Sequence, residues 1–324
     1  MSGFYKLKQI LETYYREYGT YMEAAARFLI AFVLFLQING RIGKSSPFGN
    51  IFTELILALI CAVLPPNAMV LLTALMALAQ FAATSILTLA VGGGILILLL
   101  LLYLTFARGE AWALLLTMTG LFFHMPCIVP VGFGLVGSPM SAAGIAVGTI
   151  FYYVISVVAD TGQAEVQLAM AHQNTEETLV SQMQNLQRAI LQEQEMILML
   201  IVLLAVFTTV FFVRKMAMKY AWKVAIACGT LIYLVLMVAG CLMLKLEIGI
   251  LWILAGTVLC VPISILLEEL FFALDYRHIE KLQFEDKNYY YYVQAVPKKH
   301  QKEDMERTER KGREYRDEHE TIHS

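Results

Sequence analysis

The sequence predicts an all-α, polytopic integral membrane protein with about eight or nine hydrophobic helices, one of them re-entrant or broken. Of its 324 residues, 59% are hydrophobic, above the 45–50% of ordinary soluble domains. The excess lies in blocks, most of them near the roughly 20 residues a helix needs to cross a bilayer. The blocks are continuously apolar and do not alternate with period two, which argues against a barrel.

Residues 4–18, FYKLKQILETYYREY, place Phe4, Leu7, Leu11, Tyr14 and Tyr18 on one helical face, with Lys6, Lys8 and Arg16 beside it. The pattern fits an amphipathic helix at the membrane interface over 1–23, or equally a helix packed on its own protein. No cleavable signal peptide is expected. Apolar blocks follow at 24–39, 51–64, 68–91, 95–107, 111–136 and 140–159, a first membrane bundle over 24–159. Pro65-Pro66 ends the second block, and Gly92-Gly93-Gly94 is read as the separator of the third and fourth. Segment 160–195 is polar, with a capping-box pattern at Asn174 and Glu177. Leu179, Met183, Leu186, Ile190 and Ile197 continue as a heptad seam. That seam packs within its own fold or makes a coiled-coil contact over 179–197, by self-association or with a partner. A second bundle of three spans, 196–275, holds blocks at 196–213, 224–244 and 248–273. The tail, 276–324, is charged, and YYYYVQAV at 289–296 has strand-like composition.

Charge placement orients these blocks. Basic residues near membrane segments stay in the cytoplasm. Arg214, Lys215, Lys219 and Lys223 follow block seven, and Arg277 and Lys281 begin the tail, so the C-terminus is expected inside and 160–195 outside. Six crossings before residue 160 would strand Lys6, Lys8, Arg16 and Arg108 outside. If one block does not cross, the N-terminus lies inside and only Arg41 and Lys44 violate the rule. Block five is the candidate. Pro126 and Pro130 obstruct helical turns, and Gly132, Gly134 and Gly137 are read as helix-break glycines. A proline-kinked span is the competing reading, and block two is a second possible non-crosser.

Polar groups inside a membrane are functional candidates by default. Glu54, Gln80 and His124, with Pro126 and Pro130, form a hypothetical substrate or ion pathway. Each has a plainer reading: Glu54 as an interfacial group, His124 as a hydrogen-bonded structural group. Arg27 is expected to snorkel to the surface. Glu268, Glu269 and Asp275 are expected in surface ion pairs. Cys61, Cys127, Cys228, Cys241 and Cys260 lie in apolar blocks without CxxC spacing and read as inert. His172, His278, His300, His319 and His323 lack metal-ligand spacing. No cofactor or metal is expected. P-loop, HExxH and GxSxG patterns are missing, so an enzyme is not expected.

The formal net charge of −2 gives no general affinity for nucleic acid. The leading expectation is a multi-pass transport protein in the plasma membrane, a carrier or a permease subunit served by a separate ATPase, because broken helices often mark a midplane binding site. The alternative is a non-transporting envelope scaffold or assembly protein acting through 160–195 and the tail. No family motif is specific enough to claim a resemblance.

Overall fold

The computed structural model describes residues 2–42, 50–170, 188, 193–216, 220–245, 250–271, 280–286 and 289–295. The described helices are α1 (Ser2–Ile42), α2 (Ile51–Val63), α3 (Pro66–Thr84), α4 (Ile86–Phe106), α5 (Ala111–Phe122), α6 (Ile128–Val136), α7 (Ser141–Met170), α8 (Gln194–Lys215), α9 (Ala221–Leu244) and α10 (Ile250–Phe271). Strands β1 (Glu280–Asp286) and β2 (Tyr289–Ala295) pair antiparallel, with Glu280 opposite Ala295 and Asp286 opposite Tyr289. The tyrosine run that reads as a strand is therefore one. The heptad positions Leu179, Met183, Leu186 and Ile190, the cap at Asn174 and Glu177, and tail residues 296–324 lie outside the described residues.

Six of these helices contain stretches long and apolar enough to cross a membrane: Tyr18–Arg41, Pro66–Thr84, Thr88–Phe106, Ser141–Thr161, Gln194–Lys215 and Ala221–Leu244. Ile51–Val63, Ala111–Phe122 and Ile253–Glu268 are shorter apolar helices. Leu59, Leu98, Phe106, Phe212, Met243 and Val258 are exposed on their outer faces, a surface suited to lipid and costly in water. The chain is an all-α polytopic membrane protein with a short β-hairpin near its C-terminal end.

Two boundaries differ from the sequence reading. The amphipathic stretch and the first span form one long helix, interrupted at Tyr18 (φ −119°, ψ 15°) rather than near residue 23. Blocks three and four part at Ser85, not at Gly92-Gly93-Gly94. Ser85 and Thr88 form a reciprocal capping box that starts α4. The glycines lie inside α4, where a Cβ on Gly92 would come within 2.8 Å of Val158. Gly92, against Val158, and Gly93, against Leu78, serve close approach between helices, whereas Gly94 faces open space.

Side-chain contacts fix which helix ends share a level. Near one end of the bundle, Asn39 on α1 bonds Glu54 on α2, and Gln80 on α3 reaches Asn39. Arg41 on α1 bonds Ser156 on α7. Near the other end, Arg27 reaches the Leu64 carbonyl (3.5 Å) and its i−4 neighbour Glu23 (2.9 Å). Tyr103 on α4 bonds Asn67 at the start of α3 (2.8 Å). Helices α1 to α4 therefore run alternately up and down between an Arg41 end and an Arg27 end. Helix α7 is the central element: 72% of its spanning window is buried, against 28–44% for the other five.

Candidate functional site

The stretch between α4 and α7 is a broken segment folded as a helical hairpin. Helix α5 has 12 residues and α6 has 9, about 18 and 14 Å at 1.5 Å per residue, with the helix broken between them. Glu110, just before α5, accepts hydrogen bonds from Ser138 (2.5 Å) and Ser141 (2.7 Å), just after α6. The two feet of the segment are therefore within one side chain of each other.

Helices α5 and α7 then run side by side in parallel. A Cβ on Gly144 would meet Ala113 at 2.9 Å, and one on Gly148 would meet the Leu114 carbonyl at 2.7 Å. This small-xxx-small pair lets the backbones touch. Because both helices start at the same level, α6 must return from the tip to where α5 began. The sequence allowed a broken segment or a kinked span, and the geometry selects the broken one.

The turn at the tip follows from its residues. His124 has φ 57°. The Met125 N–H donates to the Gly120 carbonyl (2.9 Å) and the His124 N–H to that of Leu121 (3.2 Å). This is the Schellman pattern that closes a helix with a left-handed residue, a position usually given to glycine. Pro126 follows at once and cannot continue α5. Pro130 is the third residue of α6, within the first turn, where backbone N–H groups have no helical partner.

Of the three glycines expected to break the helix, Gly137 does end α6, and the other two do not interrupt it. Gly132 and Gly134 lie inside α6, and a Cβ on Gly134 would press on Val210 of α8 at 2.7 Å. Gly137 ends α6 in extended geometry. Arg214 of α8 donates to the Leu135 carbonyl and to that of Gly137 (3.0 Å). A cation placed there satisfies terminal carbonyls and complements the negative end of the α6 dipole.

The tip projects into a cavity of about 320 Å³. Leu121, His124 and Pro126 of the hairpin form part of its wall. Helix α7 contributes Tyr152, Tyr153, Ser156, Val157 and Asp160, and α1 contributes Arg41. Glu193 precedes α8, and Glu195 and Met199 lie on its first turns. Tyr233 and Met237 of α9 and Ile253 of α10 complete the lining. Arg41 donates to the Ser156 hydroxyl and to that of Tyr152 (2.6 Å), and its guanidinium stacks over the Tyr152 ring at 5.1 Å. Glu195 interacts electrostatically with Glu193, Arg41 and His124. Asp160 is exposed at the rim.

The structure groups the sequence candidates in two places. His124 and Pro126 line the cavity; Pro130 is buried behind them. Glu54 and Gln80 meet elsewhere, around Asn39. Glu54 is 1% exposed, its Oε1 takes the Asn39 amide, and its Oε2 is buried without a hydrogen-bond partner. Gln80 donates to Asn39 Oδ1 at 3.5 Å. Neither residue lines the cavity. Glu54 is therefore buried against α1, in the first turn of α2. Glu268 is likewise buried rather than on the surface.

Arg41, Tyr152, Ser156 and the carboxylates were not singled out from sequence. The signal for Arg41 was present, however. Among the basic residues of the N-terminal half, it and Lys44 break the charge rule, and the structure sets Arg41 against Ser156 and Tyr152 of α7. Among the described residues no group of three His, Cys, Asp or Glu is placed to hold a metal ion. No family model, curated protein or solved structure matches this chain.

Proposed function

We propose that this chain is a transport protein, a carrier or a permease-type subunit, and that solute moves through the cavity at the hairpin tip. The observation that carries the reading is the break at residues 123–127, where helical hydrogen bonding stops within the bundle and beside a polar cavity. Irregular backbone at membrane depth is tolerated where it is buried in protein or lines a water-filled cavity. Transporters use such discontinuous helices to present helix ends to solute.

His124 adds to this. A non-glycine residue in the left-handed region costs about 1–2 kcal/mol, and such strain concentrates at functional sites.

In this reading Arg108, Arg214, Lys215 and Lys223 mark the cytoplasmic end, by the rule that basic residues stay inside. Both termini are then cytoplasmic, the membrane is the plasma membrane, and the cavity faces outward. Without a P-loop in this sequence, an ATP-driven version takes its hydrolysis from a separate chain.

The test is reconstitution of the full chain into liposomes, with any partner that co-purifies, and measurement of solute-evoked uptake and current over a broad solute panel. Solute-specific flux that falls to background in His124→Ala, with the protein still inserted, is the expected result. Absence of flux for every solute, together with a phenotype from deleting 171–192 or 299–324 in cells, refutes transport and favours the scaffold.

A further inference from the structure

We infer that the cavity binds a small zwitterionic solute, its anionic group on Arg41 and its ammonium among Asp160, Glu193 and Glu195. The inference rests on the transport reading for its biological meaning but on the cavity alone for its chemistry. The lining carries three carboxylates and one guanidinium. A solute with only a negative charge would reach Arg41 past three like charges. A solute with only a positive charge would satisfy the carboxylates and meet the guanidinium with repulsion. A molecule holding both charges a few ångströms apart complements both sets, and each charge-assisted hydrogen bond is about twice as strong as a neutral one.

Arg41 is also held in place for the task. Two of its hydrogen bonds go to the neutral hydroxyls of Ser156 and Tyr152, which orient the guanidinium at the cavity wall. Its planar fork suits a carboxylate. The hairpin adds weaker fields of the same kind, because its tip brings the negative C-terminal end of α5 beside the positive N-terminal end of α6. The volume, about 320 Å³, is at the lower end for small-molecule sites and limits the solute's size. Tyr233 and Met237 give its apolar part a soft wall.

The experiment uses the purified full chain in detergent. Its thermal unfolding is followed with L-leucine, L-methionine, L-phenylalanine, L-alanine and glycine betaine, and any stabilising zwitterion is titrated by calorimetry against matched analogues. For an amino acid these are its methyl ester, which is cationic, and its 2-hydroxy acid, which is anionic; for betaine they are choline and acetate. At least one zwitterion is expected to raise the midpoint, with both analogues weaker by about tenfold or more. Arg41→Gln and Glu195→Gln are each expected to weaken binding by about tenfold or more, with Arg41→Lys intermediate.

Failure of all five zwitterions to stabilise the protein overturns the inference. So does an analogue that binds as tightly as its parent. The analogue comparison needs no variant, so misfolding of a mutant cannot obscure it. Zwitterion binding without flux keeps this site and refutes transport. Flux of a singly charged solute with no zwitterion binding does the reverse.

Discussion

Replacing His124 with glycine separates the shape of the hairpin tip from its chemistry. Glycine adopts the left-handed geometry freely, so His124→Gly relieves the strain of φ 57° and is predicted to stabilise the protein by about 1 kcal/mol. Flux is predicted to fall to background in the same variant. Thermal unfolding of the purified protein and liposome uptake check the two halves separately. Asn39 gives the opposite case. Its amide supplies the hydrogen bond to the buried Glu54, so Asn39→Ala leaves that carboxylate without this donor. A loss of about 1–3 kcal/mol is predicted for a buried group left unsatisfied, read as a lower unfolding midpoint in detergent. Solute binding at the cavity is predicted to survive, because neither residue lines it.

The helical elements are held by contacts that leave little room. A side chain larger than hydrogen at Gly148 meets the Leu114 carbonyl at 2.7 Å, and backbone cannot swing aside as a side chain can. Gly148→Val is predicted to part α5 from α7 and to cost about 1–3 kcal/mol through overpacking. Gly134→Val is predicted to do the same between α6 and α8, against Val210. At the foot of the hairpin, Arg214→Gln removes the charge that bonds the Leu135 and Gly137 carbonyls. Loss of charged hydrogen bonds there is predicted to cost about 1.5–3 kcal/mol and to raise protease sensitivity within 123–140.

These elements were legible in unequal degree. Prolines and the count of basic residues on each side pointed to a non-crossing segment at 111–136, and both signals are local or additive. The role of Gly132 and Gly134 was not legible. Whether a glycine breaks a helix or admits a neighbour depends on what packs against it, and here that is a helix more than 70 residues away. The boundary at Ser85 was not legible, because its cap partner Thr88 departs from the usual Glu or Gln of a capping box, and three consecutive glycines gave a misleading signal.

The described helices share one hydrophobic core, in which α7 and the hairpin are central. Block lengths and charge counts made the membrane class and the relative order of the spans readable. They could not bring Arg41, Ser156, Glu195 and His124 together, because those residues come from four elements whose packing no periodicity encodes. In the transport reading the hairpin enters and leaves the membrane on one side. Cysteine labelling with a membrane-impermeant maleimide tests this most directly. The native cysteines are replaced and single cysteines are placed at Gly109, Met140 and Lys245, all exposed. In sealed vesicles of known orientation, positions 109 and 140 are predicted to label from the same face and 245 from the opposite one. Labelling of 109 and 140 from opposite faces would make the segment a true span and would contradict the re-entrant hairpin, the cavity's position and the transport reading built on them.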